Sequence, residues 1–219
     1  MGSQTQGNTL QDILKWEQEN HFSREVVTVL SGQNLSLGTV IGKITKSIPI
    51  SGTPDSGNDG AGTVTSVTGG SKTKIGTYTL TCRSYTPTPL AAVIEVKDPN
   101  GNALPDAGIG AYTNSQINFT VADGSPVIAA GDIWTIAVAE GSGSVRVLNP
   151  AGVDGSQEAH GFLIADYDAT DGALSGVAIV RDAVIVADDL VWPTGVTNDQ
   201  KAAALDQLAA RGIVSRQEA

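Results

Sequence analysis

Two glycine-dense interruptions constrain the fold of this chain more than any other feature. The first, Ser51-Gly52-Thr53-Pro54-Asp55-Ser56-Gly57-Asn58-Asp59-Gly60-Ala61-Gly62, has too little apolar content for an element interior and reads as a linker. The second is Glu140-Gly141-Ser142-Gly143-Ser144. Two flexible joints around a self-contained set of strands mark an inserted domain, because insertions are tolerated at exposed loop tips. The expected organisation is an N-terminal arm at 1–25, a discontinuous core made of 26–51 plus 142–219, and an inserted β domain at 52–141.

Short β-branched runs dominate on both sides of the joints. Glu25–Leu30 and Thr39–Ile44 are candidate strands separated by turn-forming residues. Within the bracketed block five more follow: Thr63–Val67, Thr77–Arg83, Ala91–Lys97, Gln116–Val121 and Ile133–Ala139. In Thr77-Tyr78-Thr79-Leu80-Thr81-Cys82 hydroxyls alternate with Tyr, Leu and Cys, the period of a half-buried strand. Asp98-Pro99-Asn100-Gly101 supplies a hairpin turn, and the block reads as a small β-sandwich or barrel. Val145–Leu148, Gly161–Asp166, Val177–Val180 and Ala183–Ala187 complete the strands.

Helix signals stand at the two ends. Thr9 and Asp12 can form a cap ahead of Leu10, Ile13, Leu14 and Trp16, which predicts a short helix over about Leu10 to Asn20. Near the C-terminus Thr197 and Gln200 form a capping box, Gly212 is a stop, and Ala202, Leu205, Leu208 and Ala209 form an apolar stripe.

The charge balance removes whole classes of function. With 23 acidic against 13 basic side chains the net charge is -10, and the basic residues are scattered, so a nucleic-acid binder is excluded. No apolar run approaches the roughly 20 residues that span a bilayer as a helix. A single cysteine, Cys82, and a polar start without a signal-like apolar region imply folding in the cytoplasm.

Catalytic parts are missing as well. The chain lacks GxSxG, HExxH, CxxC and GxxxxGK[ST] patterns, so no catalytic, cofactor-binding or metal-ligating residue is assigned. Ser156 and His160 beside Asp154 read as a polar loop, and Asp166, Asp168 and Asp171 as a solvated acidic turn without the glycine and distal glutamate of a calcium loop. Trp134 reads as core. Trp192 before Pro193 packs either under the final helix or across a subunit contact, and the apolar face of Leu10, Ile13, Leu14 and Trp16 docks either on its own domain or on a partner.

Two segments carry a family resemblance. His21-Phe22-Ser23-Arg24-Glu25-Val26-Val27-Thr28-Val29-Leu30-Ser31-Gly32-Gln33 continuing into LSLGTVIGKIT, together with the tail AVIVADDLVWPTGVTNDQKAAALDQLAARGIV, resemble the lambda-like head decoration proteins of tailed bacteriophages over about residues 20–50 and 145–215. The resemblance implies a mostly β fold, with a small β-clip-like decoration core, a C-terminal helix and a short N-terminal helix or arm, here interrupted by the inserted β domain. It implies a homotrimer that adds to the outside of the expanded head and stabilises it, assembled in the host cytoplasm and carried on the virion. The expected partner is the major capsid protein, with Leu10, Ile13, Leu14, Trp16 and Phe22 as anchors of the arm and Trp192, Pro193, Leu205 and Leu208 as trimer contacts. Simple members have an extended arm that pairs with capsid strands, whereas the helical pattern of residues 9–20 argues against strand addition there. The role of the inserted domain lies outside the resemblance. Host-surface contact is one expectation for it, and a virion adhesin that binds host glycans is the alternative for the whole chain, weakened by aromatics (Tyr78, Tyr85, Tyr112, Phe119, Trp134) that sit at strand positions predicted to be buried.

Overall fold

The computed structural model describes residues 9–88 and 90–216. As expected, the fold is mostly β with a short C-terminal helix. The chain divides into two compact units, one formed by Met1–Thr45 with Ser142–Ala219 and the other by Lys46–Gly141.

The first unit is built on a closed barrel of five short strands. Around it run Val145–Val147, Arg24–Val29, Leu174–Ile179, Ala159–Leu163 and Val40–Lys43, every neighbouring pair antiparallel except the first. Arg24–Val29 alternates as a half-buried strand should: Val27 and Val29 face inward, while Val26 and Thr28 are exposed. Closure leaves no free edge in this small sheet. Inside, Val27, Val29, Ile41, Val145, Leu163 and Ala178 belong to one apolar cluster.

A second cluster lies among the barrel wall, the helix Asn198–Ala209 and a three-stranded sheet of Leu14–Glu17, Ala183–Ile185 and Ile213–Ser215. The helix has the predicted cap: Thr197 Oγ1 accepts from the Gln200 N–H at 3.2 Å, and Gln200 Oε1 accepts from the Thr197 N–H at 2.9 Å. Its stop is Gly212, at φ +79, whose N–H bonds to the Ala209 carbonyl. The buried stripe differs from the expected one. Ala204 and Leu208 are buried and Leu205 half-buried, whereas Ala202 and Ala209 face solvent.

The N-terminal helix is also shorter than its pattern predicts. Only Leu10–Ile13 is helical, with the Asp12 carboxylate accepting from the Thr9 N–H at 2.7 Å. From Leu14 the chain extends and pairs antiparallel with Ala183–Ile185, an otherwise open strand edge. One helical turn lacks the length to resist that ladder, so tertiary pairing overrides the local pattern. Asn20 and His21, both at positive φ, then turn the chain into the barrel. Gly38 lets this start pack closely: at φ +83 it lies against Ile13, and a Cβ there would overlap Ile13 Cδ1.

The second unit has two sheets around one core. One is ordered Ala103–Ala107, Leu90–Lys97, Gly76–Pro87, Ile133–Glu140 and Lys46–Ser47, with Thr53–Pro54 also pairing to Ile133–Glu140; the other is Gly110–Tyr112, Ile117–Ala122 and Thr63–Gly69. Tyr78, Leu80, Ile94 and Trp134 from the first share a cluster with Val64, Ile117 and Phe119 from the second. The predicted turn at Asp98 is present. The Asp98 carboxylate accepts from the N–H groups of Asn100 and Asn102, and with a lysine bond from Lys74 these hold it ionised far below the usual carboxylate range.

The first glycine-dense interruption is ordered, contrary to a loose linker. Asp132 is 2% exposed and its carboxylate accepts from the backbone N–H groups of Asp59, Gly60 and Ala129, while Asn58 exchanges two hydrogen bonds with Ile133. Buried acceptors fix the loop even though its composition is that of a joint.

Candidate functional site

The five predicted arm residues occupy different environments. Ile13 is fully buried in its own unit, in a cluster with Val40, Phe162, Ile185 and Leu208, and Leu10 and Leu14 pack against that cluster. Trp16 and Phe22 are 50% and 56% exposed. The ambiguity of the apolar face thus divides: Leu10, Ile13 and Leu14 serve the unit's own core, and Trp16 and Phe22 face solvent. Ile13 anchors the segment to its own unit and offers no surface to a partner.

Ion pairs brace this region. Arg24 donates to both carboxylate oxygens of Glu17, at 2.8 and 2.6 Å, joining the N-terminal strand to the first barrel strand; the pairing lowers the proton affinity of Glu17 and raises that of Arg24. Arg181 stacks over the Phe22 ring at 5.4 Å, donates to the Phe22 carbonyl at 2.9 Å and pairs with Glu25. Phe22 is therefore exposed yet held.

Strand register shows what the sequence pattern missed. Trp16 is opposite Val184, and Val184 is opposite Val214, so the three share one face of the three-stranded sheet. The opposite face carries Leu14, Ala183, Ile185 and Ile213 into the core. Val214 is 45% exposed and Val184 half-buried. Ile213-Val214-Ser215 is too short for its alternation to register as a strand in the sequence.

The expected trimer residues divide in the same way. Leu208 is completely buried in the unit core. Trp192 packs against that core from the outside, with Lys201 Nζ 5.9 Å from its ring centre. Leu205 lines an open cleft of about 580 Å³ with Val186, Asp188 and Arg216, and Pro193 lines another of about 320 Å³ with Arg146, Asn149 and Gln200.

The groups nearest to catalytic chemistry take structural roles. Ser156 Oγ donates to Asp154 at 2.6 Å within its own loop, and the neighbouring His160 is buried in a barrel strand. Asp166 accepts from the Leu37 N–H, and Asp168 from the Thr170 N–H. Among the described residues no group of histidine, cysteine and carboxylate side chains has the arrangement of a metal site. Trp134 is fully buried and donates from Nε1 to the Gly62 carbonyl at 2.9 Å, a core role. No helix among the described residues is long and apolar enough to cross a membrane.

Comparison with known proteins adds one result. The profile of the family described as bacteriophage lambda head decoration protein D matches residues 3–213, through both units. No curated protein and no solved structure matches.

Proposed function

The chain belongs to the bacteriophage lambda head decoration protein D family, and from that premise we propose that it binds the outside of the expanded phage head as a homotrimer and stabilises the shell. The family is one of structural capsid proteins, whose place is the virion and whose partner is the capsid. The observation that carries the finer reading is the match itself, which spans 3–213 and includes both terminal segments of the barrel unit. Lys46–Gly141 is, in this reading, a domain inserted into the decoration core.

Stabilisation follows from mass action. A protein that binds only the mature shell shifts its equilibrium away from disassembly, with each tenfold excess over Kd adding about 1.4 kcal/mol. Three attachment points on one trimer make the second and third contacts effectively intramolecular. Trp16 and Phe22 are the arm's exposed anchors, with Leu10 and Leu14 behind them, and Trp192, Pro193 and Leu205 are the candidates for subunit contact. The test is co-sedimentation of the purified protein with expanded and unexpanded empty shells of the encoding phage. Saturable binding to expanded shells alone is expected, and equal binding to both or to neither overturns the reading.

A further inference from the structure

Among the described residues, Arg146 is the one arginine that is neither paired nor exposed. Arg24 bonds to Glu17, Arg83 to Glu95 and Arg181 to Glu25, while Arg211 and Arg216 lie in solvent. Arg146 is half-buried on the barrel strand Val145–Val147, and no described residue accepts a hydrogen bond from it or forms an ion pair with it. Its Nε is closed to solvent without a partner. A guanidinium that has given up part of its water and gained no anion is costly to hold, and this chain has 23 carboxylates that could have met it.

The strand pattern sets where this side chain lies. Val145 faces the barrel interior, so Arg146 turns outward and lines the cleft of about 320 Å³ with Asn149, Pro193 and Gln200. A cleft of about 240 Å³ continues it, sharing Leu148, Pro150 and Gln200 and adding Gln157 and Gln207. The three glutamines offer donors. Each side-chain oxygen is already taken by a backbone N–H: Gln200 by Thr197 at 2.9 Å, Gln157 by Gly155 at 2.9 Å and Gln207 by Ala159 at 2.7 Å. The NH2 group is what each has left to give, and none of the described residues lining the two clefts is acidic.

We propose that the joined clefts are a binding site for a carboxylate, held on the Nη edge of Arg146 with the Gln200 amide donating beside it. A planar guanidinium grips a carboxylate through two parallel bonds, which a spherical anion cannot match. Shape has to supply the recognition, because a net charge of -10 repels every anion at long range. Two sources carry this chemistry, a free small carboxylate and a carboxylate side chain of a second copy. The site is independent of the decoration reading, since nothing in its argument uses the shell.

The experiment titrates the full chain with sodium succinate, with sodium chloride at matched ionic strength as the reference. It reads the Arg146 Nε–H resonance by NMR, the thermal midpoint, and the assembly mass by analytical ultracentrifugation. A saturable movement of that resonance is expected, with a midpoint rise of about 4 °C at a tenfold excess over Kd. Arg146→Met keeps the apolar stem, and Gln200→Glu keeps the capping box while placing a competing carboxylate in the cleft. Both are expected to lose the midpoint response, and either one decides the matter if the other fails to fold. A response with no change in mass assigns the site to a free carboxylate. An Arg146→Met variant of lower mass than the parent, with an unchanged far-UV spectrum, assigns the carboxylate to a second copy. A resonance that stays still while parent and Arg146→Met have the same mass overturns the site. An equal response to chloride, or a response that both variants retain, overturns it as well. Shell binding enters none of these outcomes, so the site can fail while the decoration reading stands.

Discussion

His160 lies in the barrel strand Ala159–Leu163, 9% exposed, with no hydrogen-bond partner for Nε2 among the described residues. Burial pushes its pKa down to about 4, with Arg211, Lys43 and Arg181 acting in the same direction and Glu25 opposing them. The folded state therefore holds the neutral ring, while the unfolded chain takes up a proton near the ordinary value of about 6.5. The resulting stability is fully present above that value and is lost as pH falls toward 4, at about 1.4 kcal/mol per pH unit and about 3 kcal/mol in all. Urea unfolding from pH 7 to pH 4 should show this decline, and His160→Leu should remove that share of it. Parallel pH profiles for parent and variant would assign the loss to carboxylates instead. The sequence reads His160, with Ser156, as part of a polar loop; its burial in a strand depends on barrel closure, which no local pattern encodes.

Elements with local determinants were the legible ones. The C-terminal helix announced itself through Thr197, Gln200 and Gly212, and Thr197→Ala should lower stability by about 1 kcal/mol, read as a shift in urea midpoint with unchanged slope. The long strands of both units followed from β-branched alternation, and the turn at Asp98 from its proline and glycine. Several elements of two to four residues were not legible, although Val40–Lys43, Val145–Val147 and Ala183–Ile185 fell within expected strands. Gln33–Leu35, Tyr167–Ala169 and Ile213–Ser215 exist because a partner strand is present, and three residues carry too little pattern to reveal it. The Leu14–Glu17 strand was misread for the same reason, since its spacing suits a helix and only the open edge of Ala183–Ile185 makes it extend. The row of Trp16, Val184 and Val214 shares this origin. Trp16 was visible as a candidate anchor, but its neighbours Val184 and Val214 lie far away in sequence and meet it through strand register alone.

At the scale of the whole molecule, the chain leaves the barrel unit and returns to it through adjacent strands. Lys43 is opposite Val145, the Ile44 N–H bonds to the Ser144 carbonyl at 2.9 Å, and the Gly143 N–H bonds back to the Ile44 carbonyl at 3.0 Å. Beyond this neck Lys46 and Ser47 pair with Glu140 and Ala139 within the second unit. Each unit has its own apolar clusters. Replacing Lys46–Gly141 by Asn-Gly should therefore close a hairpin on the existing ladder and leave the barrel unit folded. A cooperative melt and shell binding within about twofold of the parent are expected; a molten or aggregated product would show that the barrel depends on what it carries. The neck also bears on inheritance. Its two flanking strands are already hydrogen-bonded to each other, so the stretch of gene between the codons of Thr45 and Ser142 can be swapped for another without disturbing the ladder that closes the barrel.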